Sequence, residues 1–146
     1  MAHRDGLAAG ATGLALSIPA PSKPLTPADG AAAIDSNSQF TWAADAGNAG
    51  PFLVSMTDED FYQGLYVVTA KKTFKVPAMP GGPYQFASAH KYIWRVETHG
   101  TFASIDAMAG ETGFMDEFSG DDETPRGPRT GDGSFTISQS NEFTAK

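Results

Sequence analysis

The chain contains no cysteine, and that one absence removes structural disulfides, thiolate nucleophiles, cysteine-ligated zinc and iron–sulfur clusters together. It leaves the cellular compartment open, because a core of sufficient size needs no covalent staples. Cations are scarce: 10 Lys and Arg stand against 17 Asp and Glu, a net charge of -7, whereas nucleic-acid binders gather Lys and Arg on one face. No nucleic-acid partner is expected. No run approaches the ~20 apolar residues of a membrane-spanning helix, so membrane insertion is not expected either. Catalytic signatures are missing too. There is no GxSxG elbow, and His3, His90 and His99 form neither HExxH nor another spacing that sets two imidazoles on one face. His90 and His99 flank one extended stretch, roughly 30 Å apart, and so do not share a metal.

What the chain has is turns and alternation. With 146 residues it suits one domain, and 16 Gly and 10 Pro mark a turn-rich β-protein with few helices. The opening MAHRDGLAAGATGLALSIPAPSKP carries His3 and Arg4 ahead of a small-residue run, but Asp5 and repeated Gly and Thr interrupt that run, unlike a signal peptide. Residues 1–13 are therefore expected to be a flank or tag, and Leu14–Ile18 a first short strand ended by Pro19 and Pro21. PAPSKPLTP belongs at a sheet edge or in an extended lead-in, and PADG (27–30) is a turn.

SQFTWAA (38–44) alternates Phe40 and Trp42 inward, and PFLVSM (51–56) does the same with Phe52, Val54 and Met56. The Gly/Asn-rich link between them predicts an antiparallel pair. TDEDFYQG reads as a loop. LYVVTA and TFKVPA follow as strands with Leu65, Val67, Thr69, Phe74 and Val76 inward, and MPGGPYQF is a Gly-Pro loop. KYIWRVETHG (91–100) is the richest strand: Tyr92, Trp94, Val96 and Thr98 form one face, and Lys91, Ile93, Arg95 and Glu97 the other. Trp42 and Trp94 are expected in opposite sheets, meeting in the core. After an aperiodic stretch, SFTISQSNEFTAK resumes strand character with Phe135, Ile137 and Phe143 inward.

A Pro-rich lead-in with PADG, a Phe-x-Trp strand, a short strand after it, and a Tyr-x-Trp-Arg-Val strand near the end resemble a fibronectin type III domain. The family places a Trp on its second strand, a Tyr on its sixth and a Phe on its last, matched here by Trp42, Tyr92 and Phe143. The likeness is greatest to variants found in bacterial cell-surface proteins and lipoproteins. It implies an all-β, immunoglobulin-like antiparallel β-sandwich of about seven strands over residues 14–146. It also implies an extracytoplasmic location and no enzyme activity. The chain lacks the Arg-Gly-Asp tripeptide of some members. Residues 100–133 fall outside the pattern, as a long insertion before the last strand, and loops of such length are usually functional or mobile.

That insertion holds the candidate sites. Asp121, Asp122, Glu123 and Asp132 are hard-oxygen candidates for calcium, although their spacing departs from an EF-hand loop, and Arg126 and Arg129 are placed to pair with them. Solvated charge is the reading preferred for them, and for Asp58, Glu59 and Asp60, so no metal or cofactor is expected. Phe102, Phe114 and Phe118 form either a partner surface or, preferably, a satellite core under the loop; FMDEF is long enough for one helical turn. The expected role is a spacer or a protein or glycan contact module, monomeric as an isolated domain. The alternatives are an accessory domain of an extracellular hydrolase, or a calcium-dependent adhesin.

Overall fold

The fold was analysed in a computed structural model, which describes residues 2–3, 9–13, 15, 18–46, 51–59, 64–76, 78–79, 82–99, 102, 104–109 and 133–146. The strands in chain order are β1 (Ala2–His3), β2 (Lys23–Thr26), β3 (Ala31–Ile34), β4 (Gln39–Ala43), β5 (Phe52–Asp58) and β6 (Gly64–Thr69). After them come β7 (Thr73–Lys75), β8 (Ala78–Met79), β9 (Gly82–Pro83) and β10 (Lys91–His99), then helix α1 (Ile105–Ala109), and finally β11 (Gly133–Ile137) and β12 (Asn141–Ala145). They build a β-sandwich. The larger sheet runs β6, β5, β10, then β11 and β12 end to end beside β10, with β1 on β11 and β3 parallel to β12. The smaller sheet is β2-β4-β7, and β8 and β9 form a separate two-stranded ladder.

Alternation explains the core. Phe40 and Trp42 from the small sheet are buried against Phe52, Val54, Met56, Tyr92, Trp94, Val96 and Phe143 from the large one. The two tryptophans lie in opposite sheets, as the pattern predicts, but each meets a phenylalanine: Phe40 stands edge-on to Trp94 at 5.4 Å and Trp42 to Phe52 at 5.4 Å. Such pairs contribute about 0.5–1.5 kcal/mol beyond area burial. Neither buried indole N–H has a hydrogen-bond partner among the described residues, a cost of about 1–3 kcal/mol each that the surrounding apolar burial offsets.

Several expectations need correcting. β4 and β5 are not a hairpin: β4 pairs with β2 and β7, and β5 with β10 and β6. Their inward stripes cover each other only if the link crosses from one sheet to the other. Leu14–Ile18 is not the first strand, since Ala15 and Ile18 lie outside any strand and Ile18 is exposed; Leu14, Leu16 and Ser17 lie outside the described residues. The small sheet begins at β2, where the prolines are tolerated because the strand is an edge. β5 runs on to Asp58, into the expected TDEDFYQG loop, and the MPGGPYQF loop carries the β8–β9 ladder.

PADG does more than turn. Ala31 N–H donates to the Ala28 carbonyl at 3.1 Å, and Gly30, at φ +76°, occupies the position that favours glycine. Asp29 Oδ1 accepts the Glu142 N–H at 2.8 Å, and Gly30 N–H donates to the Glu142 carbonyl at 2.9 Å. The turn is thereby clamped to β12 and launches β3 alongside it.

Ile137 is exposed rather than inward, and the reason is a bulge. Glu97 faces Ile137 and Thr98 faces Thr136, yet Trp94 faces Asn141 and Tyr92 faces Phe143. Ser138, Gln139 and Ser140 therefore stand opposite only Arg95 and Val96, and one extra residue switches every later side chain to the other face. Thr136 and Ser138 point inward before the bulge, Phe143 and Ala145 after it. Ser138 takes both of Val96's backbone bonds: its Oγ accepts the Val96 N–H at 2.9 Å and its N–H donates to the Val96 carbonyl at 2.9 Å.

Candidate functional site

The outer face of the large sheet positions the candidate site. Register places Arg95, Ser55 and Tyr66 in one cross-strand row, and Ile93 and Thr57 in the next. With Ser140 from the bulge, these side chains line a groove of about 400 Å³. Its floor is rigid, because β5 and β10 are internal strands bonded on both sides. Tyr66, on β6, is 49% exposed and forms a wall.

Arg95 and Glu97 lie on the same side of β10 two residues apart, and Arg95 Nε donates to Glu97 Oε1 at 3.1 Å. The carboxylate is nearly covered, while the arginine side chain is 47% exposed. Glu97 therefore offsets the arginine's charge and orients its guanidinium, whose terminal nitrogens supply further donors. Hydroxyls from Ser55, Thr57 and Ser140 complete a lining of mixed donors and acceptors over the apolar Ile93.

One row beyond, the same face is covered. Leu53 and Val68 stand opposite each other, and Met108 of α1 packs on them with Phe102. Ser104 caps the helix, its Oγ accepting the Ala107 N–H at 3.1 Å. This satellite cluster explains why β5 is buried on both faces. Phe102 is half-buried in it, the packing preferred from sequence. Phe114, Phe118, Asp121, Asp122, Glu123, Asp132 and the FMDEF stretch all lie outside the described residues. Among the described residues no three His, Asp or Glu side chains gather as a metal site, and no helix is long and apolar enough to cross a membrane.

The groups with shifted acidity lie away from the groove, and their causes are structural. Hydrogen bonds from the Ser38 side chain and the Asn37 N–H hold the Asp35 carboxyl below its ordinary range. Asp35 borders a second cleft of about 230 Å³ with Ile34 and Phe86, but its Oδ1 already accepts from Ser38 and Asn37. Burial pushes the Tyr84 phenol up, with Tyr92 and Asp58 adding to the effect. Lys91 is raised by its hydrogen bond to Glu142, 3.0 Å away.

Sequence reasoning missed the groove. Its trace was the outer stripe Lys91, Ile93, Arg95, Glu97, but assembling it requires the registers of three strands and a bulge. No protein-family model, curated protein or solved structure matches the chain.

Proposed function

We propose that the chain is a non-catalytic, fibronectin type III-like contact module of an extracytoplasmic protein, engaging a protein or glycan through the outer face of its large sheet. The family reading draws support from the strand order and from a buried tyrosine near the start of β10. Its phenol oxygen accepts the Ala87 N–H at 2.8 Å, the geometry of a tyrosine corner in immunoglobulin-like sandwiches. Trp42 on the second strand of the small sheet and Phe143 on the last strand are buried in the core, which supports the resemblance.

The observation that carries the contact role is the groove. A face serving only as a spacer's surface needs no partly exposed aromatic beside an oriented arginine over a rigid floor. The test is a screen of the intact chain against glycan and protein arrays, repeated with Tyr66→Ala/Arg95→Lys. Binding by the intact chain that the double variant loses supports the reading. Binding retained by the variant moves the contact elsewhere, and a chain that binds nothing on either array is a spacer.

A further inference from the structure

We infer that the ligand of the outer-face groove is a short neutral saccharide, stacked on Tyr66 and held by Arg95, which Glu97 orients, and by the surrounding hydroxyls. This rests on the contact-module reading and names its ligand class. The first argument concerns the backbone. The floor strands β5 and β10 each have partners on both sides, so their ladders offer nothing to an added peptide strand, the main route by which sheets capture extended peptides. Recognition over these two strands is left to side chains.

Those side chains select against other ligands. A phosphate or nucleotide requires uncompensated positive charge, but Arg95 is matched by Glu97 at 3.1 Å in a chain of net charge -7. A lipid or apolar peptide anchor requires a greasy pocket, and here Ile93 is the one aliphatic residue lining the groove among the described residues. A pyranose presents the complementary chemistry: hydroxyls that both donate and accept around its rim, and a patch of C–H groups on its face. Ser55, Thr57 and Ser140 donate and accept, and the guanidinium, oriented by the covered Glu97, donates. The half-exposed ring of Tyr66 offers a flat apolar surface with a polar tip. A volume of about 400 Å³ lies at the small end of ligand pockets, suited to a mono- or disaccharide.

The experiment is a 15N–1H NMR titration of the full chain with millimolar methyl glycosides of glucose, galactose, mannose and N-acetylglucosamine, and with their β-1,4-linked disaccharides. At least one should give saturable shifts centred on Ser55, Thr57, Tyr66, Ile93, Arg95 and Ser140. Tyr66→Ala should weaken that binding roughly tenfold or more, and Tyr66→Phe should stay within about twofold. Lys75→Ala, on the small sheet, should change nothing. Amide spectra of each variant check that it remains folded, and Tyr66→Phe keeps the test open should Tyr66→Ala disturb the edge strand. Absence of saturable shifts with every glycoside, or saturable shifts confined to the small sheet, overturns the saccharide assignment. If the glycosides fail while an arrayed protein loses binding on Tyr66→Ala/Arg95→Lys, the contact-module reading survives without its sugar. If both fail, both readings fall.

Discussion

Replacing Tyr92 by Phe isolates a single hydrogen bond in the core. The ring is fully buried, stacked on Phe143 at 5.4 Å and edge-on to Phe86 at 4.9 Å, and all of those contacts survive Tyr92→Phe. What is lost is the phenol oxygen that accepts the Ala87 N–H at 2.8 Å. A buried donor left unpaired costs about 1–3 kcal/mol; Ala87 is only half-buried, which places the cost at about 1–2 kcal/mol. For a domain of 146 residues, about 3–4 °C of Tm accompanies each kcal/mol, so the melting point should fall by about 3–8 °C. Urea denaturation should show a lower midpoint with an unchanged slope. The Ala87 amide should lose hydrogen-exchange protection while Trp94 and Val96 keep theirs. Tyr92→Leu, which also removes the ring stack, should cost about 3–5 kcal/mol. A Tyr92→Phe protein with wild-type midpoint and a protected Ala87 amide would refute the claim that this bond anchors the segment entering β10.

Other consequences follow from particular contacts. Deleting Gln139 removes the bulge and forces either Thr136 and Ser138 or Phe143 and Ala145 to the wrong face. The loss should be at least about 3 kcal/mol, the scale of a fully buried Phe, and a native near-UV circular dichroism spectrum would contradict it. Asp35 should titrate below 3.8 by carboxyl NMR, and Ser38→Ala should move it back toward 3.8. Since the folded-state value is the depressed one, the stabilisation it brings is present above 3.8 and is lost as pH falls through the folded value. Met108→Ala should speed hydrogen exchange across residues 104–109 and leave β10 protected, because Met108 joins α1 to Leu53 while the main core is separate. Equal loss of protection in β10 would mean that the satellite cluster and the sandwich open together.

Period-two alternation is a local property, so the chain alone determined which residues seal the interior: Phe40 and Trp42, then Phe52, Val54 and Met56, and the stripe Tyr92, Trp94, Val96 and Thr98 all face inward as their pattern requires. The absence of cysteine and the turn chemistry of PADG were equally plain. Alternation carries no information about which strand lies beside which, and that is where the reading went astray. Pairing β4 with β5 has the same local signature as crossing between sheets, and only the need to cover both stripes at once decides for the crossing. β3 was not foreseen because Ala-Ala-Ala-Ile is barely amphipathic; it exists because Asp29 and Gly30 deliver it to β12. The switch of face at Ser138–Ser140 depends on Val96, 42 residues away, whose backbone N–H and carbonyl both bond to Ser138. The groove followed from the same non-local facts: Tyr66, Ser55 and Arg95 become neighbours only through the registers of three strands, which the tertiary structure alone sets.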